Sequence, residues 1–259
     1  MQSYVTPAHV REACREQRHV GPTPGFCPGH AQANVVILPK EHAWDFLLLC
    51  QRNPTPLPLL EVYEPGDPVS RTMAPGSDIR TDCPRYIVQQ SGETREATDI
   101  SDLWRDDLVT FLLGCSFTFE AGLIEAGVPV RHMEESCNVP MYRTNVPLDP
   151  AGIFSGPMVV SMRPVPSGLV PAAVMATARF PAVHGAPVWV GNPQGLGIAD
   201  VNTPDFGDSV TIREGELPVF WACGVSGLSA VQTAGVDFAV THAPGHMLVL
   251  DVKDSELGA

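Results

Sequence analysis

Lysine is nearly missing from this 259-residue chain, which has Lys40 and Lys253 and no other. Schiff-base chemistry needs a lysine amine in a buried pocket, so pyridoxal enzymes and lysine-dependent aldolases are poorly supported. Cations as a whole are scarce and scattered: 16 Lys and Arg stand against 29 Asp and Glu, for a formal net charge of −13. An acidic chain without a basic stripe repels a phosphate backbone, and nucleic acid is not an expected partner. No apolar run approaches the roughly 18 residues that span a bilayer, so no membrane contact is expected. The N-terminal MQSYVTPAHVREACREQ lacks the apolar stretch of a secretory signal and carries Glu12 and Glu16. A retained N-terminus and a cytoplasmic protein are the expectation. The seven cysteines are an odd number with no C-x-x-C pair, the pattern of reduced thiols rather than of a disulfide framework.

Cofactor signatures are missing too. Neither G-x-G-x-x-G after a strand nor G-x-x-x-x-G-K-[ST] occurs, and Gly195-Leu196-Gly197 is a weak glycine signal on its own. There is no H-E-x-x-H, and Pro244 with Gly245 keeps His242 and His246 off a common helical face. No cofactor and no metal is expected.

What is there is material for a core: 44% of residues are hydrophobic and 17% charged. Proline and glycine are abundant without a collagen period, which describes a turn-rich compact fold. The spacing predicts a helix near Pro7 to Gln17, a strand at Asn34 to Leu38, a helix at Pro39 to Cys50, a strand at Leu59 to Tyr63, and a hairpin of Tyr86 to Gln90 with Glu93 to Thr98. Asp106 to Ala126, with apolar residues at spacings of three and four, reads as the longest helix, interrupted at most at Gly114. Further strands are expected at Val128 to Met133, Met158 to Met162, Pro187 to Val190, Ser209 to Ile212, Val219 to Ala222, Asp237 to Thr241 and Met247 to Asp251, with one helix at Leu169 to Phe180. The order implies an α/β fold: a mixed sheet flanked by helices, with a second smaller α+β lobe. Residues 1–126 and 217–259 are assigned to the main domain and 127–216 to the lobe.

Several strings carry a family likeness: QAN at Gln32 to Asn34, DIRTDCPRY at Asp78 to Tyr86, GCSFTFE at Gly114 to Glu120, NVPMYRTN at Asn138 to Asn145 and VVSMRPVP at Val159 to Pro166. HGAP at His184, PDFGD at Pro204, PVFWACGV at Pro218 and THAPG at Thr241 follow in order. Over nearly its whole length the chain resembles the D-glutamate cyclase family, whose bacterial members are called hydro-lyases. The resemblance implies a two-part α/β fold and loss of water from a small amino- or hydroxy-carboxylate, with closure of D-glutamate to 5-oxo-D-proline as the named reaction. It also makes Asn34 and Thr144, inside two of these strings, candidates for substrate contact. Trp189 and Asn192 stand where the family pattern would have a histidine and an aspartate, and Ser226 where a threonine is usual.

Read as chemistry, Ser116 and Glu120 share a face if the helix is continuous, among Cys115, Phe117 and Phe119. A desolvated carboxyl there would keep its proton near neutrality and serve as general acid; a solvent-facing or capping glutamate is the plainer reading. Arg143 and Arg163 each end an apolar segment and suit bidentate capture of a carboxylate, against internal salt bridges. His184 and His242 sit at strand-to-loop transitions and could move protons near pH 6.5, against rings that merely bond the turn backbone. Cys223 and Cys115 are candidate nucleophiles or small core residues, and Asp82 and Asp208 are reserve acids. The leading expectation is a cofactor-independent hydro-lyase with a small carboxylate as partner and with homo-oligomerisation left open. A cysteine-dependent amidohydrolase and a non-catalytic carboxylate-binding protein are the alternatives.

Overall fold

The structure is a computed structural model and describes residues 6–258; the first five residues of the N-terminal stretch considered above lie outside it. Thr6 caps α1 (Pro7–Arg15), accepting the His9 N–H through its side chain, with proline at the first helical position. β1 (His30–Pro39) leads into α2 (Lys40–Arg52) and β2 (Leu59–Val62), followed by the hairpin β3 (Tyr86–Gln90) and β4 (Glu93–Ala97). β5 (Leu108–Gly114), α3 (Glu120–Glu125) and α4 (Arg131–Glu134) complete the first half. The second half runs β6 (Met141–Pro147), β7 (Pro157–Pro166), α5 (Val170–Ala178), β8 (Trp189–Val190), β9 (Glu216–Ala222), α6 (Val225–Ala234), β10 (Phe238–His242) and β11 (Leu248–Lys253).

The α/β architecture has two sheets. Seven strands form one, in the order β2-β5-β1-β10-β3-β4 with β11 also on β1; four form the other, in the order β6-β7-β9-β8. Every pairing is antiparallel. β1 is buried along nearly its whole length and forks, pairing β11 at Gln32 and Ala33 and β10 at Val36 and Ile37. Its Val36 and Leu38 join Phe111 and Leu113 of β5, Val159 of β7 and Leu228 of α6 in one core, which ties the two sheets together. Ala33, Val35 and Ile37 face a second core with Tyr86 and Leu112.

Four expectations are corrected. Asp106 to Ala126 is not one helix: Leu108–Gly114 is a strand, Ser116–Phe119 a 3₁₀ turn, and only Glu120–Glu125 is α-helical. LVTFLLG is buried on both faces, and a short apolar run of that kind has no period to separate strand from helix. Gly114 then lies flat on the chain at 182–183, where a Cβ would stand 2.1 Å from the Ala182 carbonyl oxygen. Val128 to Met133 is not a strand either; Val128 and Val130 anchor a core with Trp221, and the chain turns into α4. Ser209 to Ile212 is irregular and lays Val210 over the outer face of the smaller sheet beside Tyr142 and Phe220. Finally, Leu169 to Phe180 is not the lone helix of the second half, because α6 starts at Val225.

Candidate active site

At the seam between β7 and α3, Arg163 is 0% exposed and its guanidinium is almost fully engaged. Nε and Nη2 donate to Glu120 Oε1 at 3.0 and 2.5 Å, Nη2 also donates to Ser116 Oγ at 3.1 Å, and Nη1 donates to Ser161 Oγ at 3.0 Å. The cation lies over the rings of Phe119 and Trp221, 5.2 and 5.5 Å from their centroids. A buried charge without a partner costs several kcal/mol, so this arrangement over-determines where Glu120 must sit. The broken helix explains how: Gly114 ends β5, the 3₁₀ turn swings Ser116 toward β7, and Glu120 opens α3 facing Arg163.

His132 completes the line. Its Nε2 stands 3.1 Å from the same Oε1, at ion-pair distance but off the axis of a hydrogen bond. The ring stacks on Phe117 with centroids 6.1 Å apart. Its backbone is fixed by its neighbour Arg131, fully buried, which donates to Glu216 at 2.6 Å, to Glu134 at 2.9 Å and to the Thr211 carbonyl at 2.6 Å. His132 lines a cavity of about 340 Å³ together with His19, Phe26, Met133, Asn138 and Asp208. Glu120 Oε2 is buried with no hydrogen-bond partner among the described residues. A wider cleft of about 890 Å³, between α3, α5 and the C-terminal turn, includes no member of this line of charges.

The electrostatics reverse the expectation for Glu120. Burial pushes its carboxyl up, but the His132 ring and the Arg163 guanidinium beside it pull it down further, and the net shift is below the ordinary carboxylate value. Glu120 is therefore a carboxylate, suited to orienting and charging a histidine rather than to donating a proton.

The other expected residues fall into two groups. Ser116 and Arg163 join Glu120, so three of them converge, and Arg163 binds the protein's own carboxylate. Arg143 is elsewhere: half-exposed, it pairs with Asp205 at 3.2 Å and lies 4.5 Å from the Phe206 ring centroid. Thr144 donates to the Met158 carbonyl at 2.7 Å, holding β6 to β7. Asn34 donates to the Gly114 carbonyl at 2.6 Å and fills the space where a Cβ on Gly224 would be. His242 accepts the Val35 N–H at 3.1 Å, repairing the backbone where β1 changes partner. Burial brings its pKa down to about 4. His184 shares that fate: its Nδ1 is 2.9 Å from the Thr55 carbonyl and burial lowers its pKa to about 4. Both rings are neutral at pH 7, so neither titrates near 6.5 as expected. Burial pushes the Cys223 thiol up to about 11 and Cys115 higher still, so neither is a thiolate near neutrality. Asp82 holds Arg15 at 2.8 Å, and Asp208 accepts the Asn138 N–H at 2.8 Å on the cavity rim.

Comparison with known proteins places the chain in a lineage. Residues 109–251, more than half of the chain, match the D-glutamate cyclase family model. The chain belongs to the D-glutamate cyclase family. Curated relatives carrying the name "Putative hydro-lyase" are 56% identical over 250 residues in Geobacillus kaustophilus, covering 96% of this chain and 95% of that one. In Stutzerimonas stutzeri the figures are 56% over 255 residues, 98% and 96%, and in Rubrobacter xylanophilus 57% over 250 residues, 96% and 96%. Among solved structures, a nitrogen repressor-like protein from Methanococcus jannaschii covers 95% of this chain and 98% of its own at a TM-score of 0.38 and 9% identity. The D-glutamate cyclase match takes in Glu120, His132, Arg163 and Asp208. No helix among the described residues is long and apolar enough to cross a membrane.

His132 is the residue that sequence reasoning missed. Read as part of a strand with alternating faces, only one of Arg131 and His132 would point inward, whereas both are buried. The usable signal was a histidine beside an arginine in a segment entered from Pro129, where a short helix packs both.

Proposed function

We propose that this chain is a hydro-lyase of a small amino- or hydroxy-carboxylate, with D-glutamate closing to 5-oxo-D-proline as the first reaction to test. The observation that carries the reading is the buried line Arg163–Glu120–His132 ending on a cavity large enough for such a substrate. Glu120, kept ionised by Arg163, faces Nε2 of His132 and favours the tautomer with its proton there. Nδ1 is then the atom offered as base to a molecule in the cavity. A small turn of the ring aligns the Nε2 contact, as catalytic hydrogen bonds often tighten only when substrate is present.

In this reading Asp208 at the rim takes the substrate ammonium, and Asn138 and the His19 ring border its carboxylate end. The amine loses two protons, its nitrogen attacks the γ-carboxyl carbon, and the departing oxygen gains two protons and leaves as water. Nothing is consumed, so the chemistry calls for proton movement alone and the reading includes no cofactor. A cytoplasmic location fits seven cysteines that form no disulfide with one another among the described residues.

The test is turnover of D-glutamate, L-glutamate and small hydroxy acids by the purified chain, with chiral separation of the products. The expected result is water loss from one class of substrate and its disappearance in His132→Asn. Thermal stabilisation by these acids with no turnover of any would replace this reading with that of a binding protein.

A further inference from the structure

Beside Glu120 lies a second cavity, smaller than the one His132 lines. It has a volume of about 80 Å³ and is lined by Glu120, Gln32, Thr118, His30 and Asp254, with Phe26 and Met133 shared between the two cavities. Two of its lining residues bring buried polar atoms that have no hydrogen-bond partner among the described residues: Oε2 of Glu120, whose side chain is 4% exposed, and Nδ1 of His30. The other polar side chains around it are committed. Gln32 Nε2 donates to the Thr23 carbonyl at 3.0 Å, its Oε1 accepts from Thr23 Oγ1 at 2.7 Å, and Thr118 Oγ1 accepts the Gln32 N–H at 3.1 Å.

A water molecule occupies about 30 Å³ in the liquid and needs two or more polar partners when buried. The cavity therefore has room for two or three, and Oε2 with Nδ1 supplies an acceptor and a partner of either sense. Its volume is too small for an amino acid. Asp254 lines this cavity and also the wide cleft next to it, so the small cavity lies between the carboxylate and that cleft. The charged groups facing His30 are Glu120 and Asp254 across the cavity and Lys253, its register partner on β11.

We propose that this cavity is a water site through which His30 relays protons between Glu120 and solvent. The proposal rests on the hydro-lyase reading, because it gives the active histidine a second exit. With a substrate filling the front cavity, His132 loses its route to bulk water on that side; the route through Glu120 stays open. A proton taken by His132 passes to the Glu120 carboxyl, then through the water to Nδ1 of His30, and the proton on that ring's Nε2 leaves to solvent. Exchange of tautomer in both rings, His132 and His30, restores the starting state, and resupply follows the reverse path. Because Arg163 holds Glu120 as a carboxylate, the proton rests there only in transit.

Two measurements test it. In a crystal structure of the wild-type chain, an ordered water is expected within hydrogen-bond distance of both Glu120 Oε2 and His30 Nδ1; a dry cavity overturns the proposal whatever the activity. In the full chain, His30→Ala is expected to lower kcat about tenfold at unchanged KM, to steepen the acid side of the pH profile, and to recover with added imidazole. Unchanged kcat and pH profile in a folded His30→Ala also overturn it. A water in place with no turnover by the wild type would instead count against the hydro-lyase reading.

Discussion

Arg143 and Arg163 lie on neighbouring strands of the same sheet and each ends an apolar stretch, yet they do opposite things. Arg143 reaches the sheet edge, where it is half-exposed, paired with Asp205 and spread on Phe206. Arg163 is enclosed between Phe119 and Trp221 and has no access to water. In water a pair of charges contributes little, and in the interior a charge must have its partner. The edge pair is thus dispensable, whereas the interior pair fixes the position and charge of Glu120, and through it the orientation of His132.

The comparison breaks most sharply at Arg163. Arg163→Met leaves Glu120 as an uncompensated buried carboxylate, with an expected loss of about 3 to 5 kcal/mol, measured by urea unfolding; a loss below about 1 kcal/mol would mean that the seam does not depend on the pair. His132→Asn is expected to keep the fold and to lower kcat by roughly 10² to 10⁴-fold, measured by product formation.

Acid gives the third test. His184 and His242 hold pKa values near 4 in the folded chain against an ordinary 6.5. As pH falls from 6.5 toward 4 the unfolded chain binds protons that the folded chain refuses, so stability present above that window is lost within it. The loss is up to about 3 kcal/mol for each ring. Glu120, depressed below 4.5, adds its own loss only at lower pH, as its carboxylate is protonated. Unfolding free energies at pH 7.5, 5.5 and 4.5 should fall in that order, and a flat profile would mean that the two rings titrate normally. The smallest effect belongs to the edge: Arg143→Ala should cost less than about 1 kcal/mol and leave kcat within a factor of two. A collapse of activity there would move the carboxylate site to Arg143.

What the sequence made legible follows from burial. Strands with one characteristic run and clear punctuation, such as Tyr86–Gln90 and its partner across Ser91 and Gly92, fall where their pattern puts them. LVTFLLG does not, because a strand buried on both faces imitates a buried helix. MYRTNVP escaped notice as a strand between two prolines, and VSGLSAVQTA escaped as a helix whose small residues let it pack close to β7. Within the site, Glu120 with Ser116 and Arg163 was visible as chemistry-bearing residue types. Their mutual pairing was not, since 43 positions separate Glu120 from Arg163 and only the meeting of two elements decides which acid a buried arginine takes. The protonation of Glu120 was misjudged for the same reason: desolvation can be anticipated from apolar neighbours, but a counter-charge across the fold cannot. His184 and His242 turned out to bond backbone, the plainer of the two readings open to each.

The most direct test is the kcat/KM of folded His132→Asn beside that of wild type and Arg143→Ala, on whichever small carboxylate the wild type dehydrates. A loss of at least a hundredfold in His132→Asn, with Arg143→Ala near wild type, is expected if the buried line is the reacting centre. Equal activity in all three would contradict it.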